Sequence, residues 1–551
     1  MRHGGQILVD QLKAQGVVRV FSVPGESFLA VLDGLLDSGI ENIVCRHEGG
    51  AAMMAEATGK LAGRPGVAFV TRGPGATNAS SGVHVARQDS TPMVLFVGQI
   101  ARNHRDREAF QEVDYRAMFG PLAKWVAEVD ATERLPEYVN RAFHVATSGR
   151  PGPVVLALPE DVLAAQADVP ALAPTAPAVA AVSEAQVADI LGALGRAERP
   201  LVIAGGSGWT DAATRDLQRF AESQGLPVAV PFRRQDYLDN RSTAYAGDLG
   251  VGANPKLAAR LRQADCLLVL GARLGDIATG GYELVDPAAP GKTIVHVHPD
   301  PELPGTVYRT DQAVTARAAD AVARLAQAPK AGNWAAWTGA ARADYEAWRV
   351  PKETPGAVKL EAVVAWLSET LPDDAILTNG AGNYAAFVHR YFRFKQFGTQ
   401  VAPTSGSMGY GFPAAVAASL QHPDRTVVCF AGDGCFQMTL NEMSTAVQHG
   451  ASPVVIVCNN GRYGTIRMHQ EKTYPGRVSG TDMANPDFAA LARAYGGFGV
   501  VVEDGAAFPE AFAAARAAGM VAVIELRLDP QMLSTGQTVA EARAAGQAQS
   551  G

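Results

Sequence analysis

Nine apolar runs rich in β-branched residues recur along the chain: VVRVFSV, GVAFVT, PMVLFVG, PVVLAL, PLVIAGG, CLLVLGA, AILTNG, TVVCFAGDG and PVVIVCNN. Ala-rich stretches of helical period lie between most of them. Continuous rather than alternating hydrophobicity implies strands covered on both faces, the condition of parallel sheets flanked by helices. The chain is therefore expected to be α/β.

At 551 residues it exceeds the size at which a single core stops growing, so several domains are expected. Two stretches interrupt the strand–helix rhythm: AAQADVPALAPTAPAVAAVSEA, over roughly 164–185, and AQAPKAGNWAAWTGAARADYEAWRVPKETPGAVK, over roughly 326–359. Repeated prolines and few β-formers make both linker candidates. Three parallel-sheet domains follow, over 1–165, 185–325 and 357–530, with a loosely held tail over 531–551.

A hydrophobic fraction of 47%, a charged fraction of 19% and a net charge of −7 discourage nucleic-acid and membrane-surface functions, since no basic run concentrates positive potential. Small-molecule partners are expected. The five cysteines, at 45, 266, 429, 435 and 458, are too scattered for a disulfide framework or a Cys-x-x-Cys metal site, which fits a reduced compartment. The opening MRHGGQILVDQLKAQGVVRVFSVPG reads as a short amphipathic helix and a strand rather than a signal peptide, and no apolar stretch is long enough to span a bilayer. A cytoplasmic location is expected.

The stretch GDGCFQMTLNEMSTAVQHGASPVVIVCNN, residues 432–460, carries the strongest chemical signal. A buried strand runs into a Gly-Asp-Gly turn, apolar residues then recur at helical spacing from Phe436 to Val447, and a second strand ends in Asn459 and Asn460. One strand–helix–strand unit returns the asparagines to the sheet edge that carries Asp433, where an open parallel sheet collects its ligands. Gly432 and Gly434 let the backbone come close. A carboxylate and an amide carbonyl are hard oxygen donors of the kind Mg²⁺ or Ca²⁺ takes, with phosphate oxygens and water completing the shell. Gly-Asp-Gly alone is most often an ordinary turn; its pairing with the asparagines makes a metal bridging to a diphosphate the better reading.

On these residues the chain resembles the thiamine diphosphate (ThDP) enzymes, in particular the acetohydroxyacid (acetolactate) synthase branch. The resemblance implies a pyrimidine-binding first domain, a Rossmann-like central domain and a diphosphate-binding third domain. It implies Mg²⁺ held by Asp433, Asn460 and the backbone carbonyl of Arg462. Gly382, Asn383 and Tyr384 of NGAGNY, together with Gly432, Gly434, Cys435, Tyr463, Gly464 and Thr465, would line the diphosphate. In TSGSMGYGFPAA, Met408 would prop the cofactor into a bent shape and the carbonyl of Gly406 would accept from its N4′.

The family also needs a glutamate that hydrogen-bonds the pyrimidine N1′, favouring the form whose N4′ takes the C2 proton. NIVCRHEGGAAMMAEATGKLAG places Glu48 at a strand-to-helix turn, where a carboxylate is buried yet aimed. A helix cap would explain Glu48 by itself. Pro24 and Gly25 of SVPGESF and the TRGPGATNASSG stretch, through Asn78, occur in the family order around it and would face the pyrimidine ring. The resemblance further implies a homodimer at minimum, because Glu48 of one subunit serves the diphosphate site of another; a homotetramer is the expected assembly, though the sequence does not fix tetramer against dimer.

Substrate choice is less determined. Gln111 in AFQEVD matches an active-site glutamine of the synthases and would contact the reacting group. Leu-Pro-Lys-Asp of the synthases is LPED here, so a lysine becomes Glu160; Thr465 and His469 replace a Met and a Trp that shape the acceptor pocket. The His-His pair of simple pyruvate decarboxylases is absent, and benzoylformate-type enzymes place a His where this chain has Thr71 or Arg72. Of the two segments that would hold a non-redox FAD, GDLGVGANP and GARLGDIATGGY keep half of the signal, so FAD is not favoured. A basic clamp for CoA phosphates has only Arg543 in the tail.

The expected activity is ThDP- and Mg²⁺-dependent decarboxylation of a 2-keto acid, with carboligation to an aldehyde or second keto acid, or with protonation. Cleavage of 2-hydroxy ketones or 2-hydroxyacyl-CoA competes with it. A non-catalytic ThDP-binding scaffold is the alternative of another class, and retention of Glu48 with Asp433 and Asn460 argues against it.

Overall fold

The computed structural model describes residues 1–550, which build three six-stranded sheets, parallel throughout. Each of the nine apolar runs contributes a strand. The first sheet is made of Arg19–Ser22, Glu41–Val44, Gly66–Val70, Met93–Gln99, Trp125–Glu128 and Pro153–Pro159. Numbered one to six in chain order, they lie in space as 2-1-3-4-6-5. The third sheet, of Ile376–Asn379, Gln400–Val401, Val427–Gly432, Val454–Asn459, Phe498–Val502 and Ala522–Arg527, repeats that order. The second sheet, of Pro200–Ala204, Val228–Pro231, Tyr245–Leu249, Cys266–Leu270, Thr293–His298 and Gln312–Thr315, runs 3-2-1-4-5-6, the doubly wound dinucleotide-fold order. Central strands such as Met93–Gln99 and Val427–Gly432 are buried at every position, which is why their hydrophobicity is unbroken.

One core is shared by the first and third sheets. Helix Glu48–Ala62 packs on helix Pro74–Asp89 and on helix Gly411–Gln421. All three are rich in Ala and Gly, so their axes approach closely; a Cβ on Gly82 would lie 2.4 Å from the Cβ of Ala52. Ala51, Ala52, Phe412, Ala418, Met443 and Ala446 belong to this common core.

Three segments differ from the sequence expectation. The 326–359 stretch contains helix Ala335–Arg349, pinned to the second sheet by Tyr345, whose ring meets Tyr245 edge-on at 4.9 Å between centroids. The apolar period from Phe436 to Val447 is divided between helix Asp433–Gln437, a 3-10 turn at Leu440–Glu442 and helix Met443–His449. The break falls at Thr439, whose hydroxyl donates to the Gly409 carbonyl at 2.7 Å instead of facing a helix groove. The C-terminal segment is no loose tail: Met532–Ser534 pairs with Gln537–Thr538, and helix Val539–Ser550 packs along helix Gly464–Thr473. Nε and Nη2 of Arg543 donate to the two oxygens of the Glu471 carboxylate, at 2.8 and 2.7 Å. Segment 168–183 has no regular structure. Among the described residues no helix is long and apolar enough to cross a membrane, and none of the five cysteines is paired.

Candidate active site

The third sheet brings one group of residues together. Its neighbouring strands Ile376–Asn379, Val427–Gly432 and Val454–Asn459 end side by side, with Gly432 in register with Cys458. Their carboxyl ends release Gly382, Asn383 and Tyr384, then Asp433, Gly434 and Cys435, then Asn460 and Arg462. Helices begin at Tyr384, Asp433 and Gly464, so three sets of free backbone N–H groups gather at one edge.

Asp433 is 3% exposed. One of its carboxylate oxygens accepts from the Gly434 N–H at 2.9 Å, the other from the Gly461 N–H and the Asn485 amide, both at 2.8 Å. Burial pushes its pKa up, against the pull of these hydrogen bonds. The Asn485 amide also donates to the Asn459 side-chain oxygen at 2.9 Å, and Asn459 donates inward to Glu525 at 2.6 Å. Asn459 is therefore spent on the core. Asn460 lies on the open side, its amide 3.4 Å from the Met532 carbonyl. Asn485 is the residue at this centre that sequence reasoning misses. It stands alone in DMANPDF, where nothing but its neighbourhood to a proline marks it.

Around this centre, the hydroxyl of Thr465 donates to the Asn383 side-chain oxygen at 3.0 Å and accepts from the Asn383 N–H at 3.1 Å. The Asn383 amide donates to the Leu533 carbonyl at 2.7 Å, so the C-terminal hairpin borders the site. Tyr384 and Cys435 face each other, hydroxyl to thiol at 3.3 Å, beneath the Gly380 and Gly409 N–H groups. Both are buried and act as the floor. Tyr463 is partly exposed and lies where a Cβ on Gly434 would meet its ring at 2.6 Å. Gly406 sits at φ +68°, a left-handed position open to glycine, and a Cβ there would touch nothing within 4 Å. Beside it Ser405 carries a buried hydroxyl without a partner, and Met408 packs half-buried on the third core.

These residues fit a divalent cation bridging to a diphosphate. Among the described residues no three His, Cys, Asp or Glu side chains gather to hold a metal. A cation at Asp433 would thus draw on amide and carbonyl oxygens, as hard, hydrated cations do. Charge beside the buried carboxylate would reverse its desolvation, and the three helix starts suit phosphate oxygens.

A second group forms at the carboxyl edge of the first sheet. Glu48 opens helix Glu48–Ala62, with His47 as N-cap accepting from the Gly49 N–H at 3.0 Å. One carboxylate oxygen of Glu48 accepts from the Asn78 amide at 2.9 Å. A Cβ on Gly25, which follows Pro24, would lie 2.4 Å from the Thr71 Cβ, so this turn admits no side chain. Tyr115 holds the next loop: its hydroxyl accepts from the Gly73 N–H at 2.8 Å, and burial pushes its pKa up to about 12. Gln111 occupies the left-handed region at φ +65°, and its amide oxygen is buried with no partner. The turn that presents Glu48 is gripped by the third domain. Glu442, fully buried, accepts from the N–H groups of Arg46 and His47 at 3.2 and 3.0 Å and from the Thr445 hydroxyl at 2.6 Å. Among the described residues no hydrogen bond or ion pair within the chain joins the Glu48 group to the Asp433 group.

At the carboxyl ends of the second sheet lies a cavity of about 470 Å³, bordered by Gly206, Arg234, Gly271, Arg273, Tyr282 and His298. Burial lowers the His298 pKa to about 4. GARLGDIATGGY lines this cavity, whereas GDLGVGANP lies outside its lining. A Cβ on Gly250 of GDLGVGANP would lie 2.7 Å from the Phe232 ring, which lines the cavity, so the second segment stands one side chain away from it.

Three families of domain match the chain in order. "Thiamine pyrophosphate enzyme, N-terminal TPP binding domain" covers residues 2–118, the corresponding central domain 187–325, and the C-terminal TPP binding domain 380–526. Over 499 residues the chain is 32% identical to the acetolactate synthase isozyme 2 large subunit of Escherichia coli, covering 90% of each protein. It is 31% identical over 523 residues to the acetolactate synthase large subunit of Haemophilus influenzae, covering 91% of this chain and 89% of the relative. With the mitochondrial acetolactate synthase catalytic subunit of Saccharomyces cerevisiae it shares 32% over 521 residues, covering 90% of this chain and 76% of the relative.

Proposed function

The chain belongs to the thiamine pyrophosphate enzymes, and on that premise we propose that it is an acetolactate synthase-like carboligase. It decarboxylates a 2-keto acid and passes the remaining acyl unit to an aldehyde or a second keto acid, using ThDP and Mg²⁺. The observation that carries this reading is the convergence of three adjacent strand ends on the buried Asp433, together with a separate carboxylate, Glu48, at the edge of the first sheet.

When bound, the cofactor supplies a carbon nucleophile and an electron sink for the pair released with CO₂. Asp433, Asn460 and the Arg462 carbonyl hold the cation, with Asn485 orienting Asp433. Gly432, Gly434, Asn383, Gly464 and Thr465 receive the diphosphate on backbone and side-chain donors, above the Tyr384–Cys435 floor. The Gly406 carbonyl and Met408 receive the middle of the cofactor. Pro24, Gly25 and Asn78 border the pyrimidine. Glu48 exchanges a proton with the pyrimidine N1′: Asn78 holds one of its oxygens and leaves the other for the exchange. Gln111, which the Gly73 turn abuts, would contact the reacting group. Glu48 and Asp433 stand on the edges of different sheets, and Glu48 of one copy would serve the Asp433 site of another. A homodimer is the minimum and a homotetramer, as two such dimers, the expected form. Five unpaired cysteines support a reducing, cytoplasmic setting.

Turnover of a panel of 2-keto acids, with and without aldehydes, tests this with protein loaded with ThDP and Mg²⁺, beside Glu48→Gln. CO₂ release and new ketol that collapse in the variant are expected. ThDP bound in an Mg²⁺-dependent way with no turnover of any 2-keto acid would overturn the carboligase reading.

A further inference from the structure

Arg72 is where this chain places a guanidinium at the edge that carries Glu48 and Gln111, and the function above gives it no part. It is 8% exposed. Its three nitrogens each have one partner: Nε donates to the Phe110 carbonyl at 3.3 Å, Nη1 to Glu160 at 3.3 Å and Nη2 to Glu26 at 3.4 Å. The two carboxylates come from different strand ends, Glu26 after Arg19–Ser22 and Glu160 after Pro153–Pro159. Ser27 fixes the backbone on the other side, its hydroxyl accepting from the Arg72 N–H at 3.4 Å and bonding the Thr71 hydroxyl at 2.8 Å.

The carbonyl that Arg72 holds belongs to the peptide leading into Gln111. Segment 105–112 has three non-glycine residues in the left-handed region, Asp106 at φ +62°, Glu108 at +50° and Gln111 at +65°. Such strained residues persist only where their surroundings over-determine them. The loop has little apolar anchorage, since Phe110 is 74% exposed. Glu112 ties it internally, accepting from the Asp106 and Ala109 N–H groups at 2.8 and 3.1 Å. Among the described residues Arg72 is the one side chain outside the loop that hydrogen-bonds its backbone. Next to it, a Cβ on Gly73 would lie 2.8 Å from the Gln111 Cβ, so the loop sits directly on the turn that Arg72 belongs to.

We infer that Arg72 is a positioning residue: held between Glu26 and Glu160, it clamps the Phe110 carbonyl and thereby fixes the left-handed backbone that aims Gln111 into the substrate site. Glu160 and Arg72 then form one device, because a lysine at 160 would repel the guanidinium. This rests on the proposed role of Gln111. The geometry favours clamping over direct capture of a substrate carboxylate, since two carboxylates already occupy the guanidinium.

The test has two arms. In the cofactor-free protein, Arg72→Ala is expected to speed amide hydrogen exchange across 105–112 by about 10-fold or more, with residues 433–437 unchanged. Glu160→Lys, which keeps Arg72 but removes its support, is expected to do the same, and Arg72→Lys to restore part of the protection. Unchanged exchange in 105–112 in Arg72→Ala, or in Glu160→Lys if that protein alone folds, overturns the inference. In the loaded enzyme, Arg72→Ala and Gln111→Ala are each expected to lower kcat/KM by about 10–100-fold. The double variant is expected to be no worse than the poorer single, because the two residues act as one unit. Losses that multiply overturn the inference. Exchange of the ThDP C2 proton separates the two readings. It is expected to collapse in Glu48→Gln and to stay within about twofold in Arg72→Ala. A normal C2 exchange in Glu48→Gln would sink the proposed function itself, whereas a Glu48 effect without loop exchange in Arg72→Ala sinks only the clamp.

Discussion

At the scale of single residues, the site divides into groups that a motif announces and groups that only the folded neighbourhood does. Asp433 and Asn460 are legible because a turn and a strand end impose fixed residue types at fixed spacing, and Glu48 because a strand-to-helix turn aims it. Asn485 is not legible: its only qualification is the carboxylate oxygen 2.8 Å away. Asn485→Ala is expected to weaken Mg²⁺-dependent ThDP binding by about 10–100-fold, the usual effect of removing a group that orients a metal ligand. Titration of ThDP by intrinsic fluorescence at several Mg²⁺ concentrations checks this, and unchanged affinity would remove Asn485 from the site. Glu48→Gln is expected to lower kcat by about 10²–10⁴-fold while leaving that affinity nearly intact, because the proton exchanged at N1′ belongs to catalysis rather than to binding. Sequence context marks Gln111 as a candidate, yet its left-handed backbone and its partnerless amide oxygen belong to long-range packing that no local pattern encodes.

Among the elements, buried strands are the most legible and charged helices the least. Every continuous apolar run became a strand because burial on both faces leaves no room for a polar alternate. The C-terminal helix Val539–Ser550 has a weak apolar stripe and is held instead by Arg543 on Glu471, which also accepts from Arg467 at 3.0 Å and from the Gly476 N–H at 3.0 Å. Ion pairs of this kind depend on partners in another element and leave no periodic trace. The same is true of Ala335–Arg349, whose alanines resemble a linker until Tyr345 finds Tyr245. The Arg543 guanidinium holds the Glu471 pKa down at about 2, below its ordinary 4.5. A depressed acid stabilises the folded state above its unfolded pKa and loses that contribution as pH falls toward the folded value. The melting temperature of Glu471→Gln is therefore expected to lie below that of the native chain at pH 7, with a cost of about 1–3 kcal/mol for the lost charged hydrogen bonds. The gap should close between about pH 4.5 and pH 2. A gap independent of pH in that window would show that the carboxylate charge is not what seats the helix.

For the whole molecule, the α/β class and the three-sheet plan follow from hydrophobic patterning, while the proposed assembly rests on the resemblance of the Glu48 and Asp433 motifs to those of the family. Glu48 and Asp433 stand on different sheets with no bond between their groups, although Glu442 ties the Glu48 turn to the third domain of its own chain. Specific activity is accordingly expected to fall on dilution in step with loss of the dimer, followed together by sedimentation and by rate, and a fully active monomer would refute the shared site. ThDP and Mg²⁺ added together are expected to raise the melting temperature, by a stabilisation of about 2.7 kcal/mol at one hundred times the dissociation constant. Either one alone should do far less, and equal shifts from ThDP with and without Mg²⁺ would count against a bridging cation. The first and third sheets share one strand order, 2-1-3-4-6-5, and present two separate working edges. Under the proposed function both edges serve the cofactor, the Asp433 edge its charged end and the Glu48 edge its ring, so a change at Glu26, Arg72 or Glu160 falls on the rim that also carries Glu48 and Asn78. A change of substrate preference along that rim would therefore have to spare the Glu48–Asn78 contact while altering its neighbours, which narrows the positions free to vary.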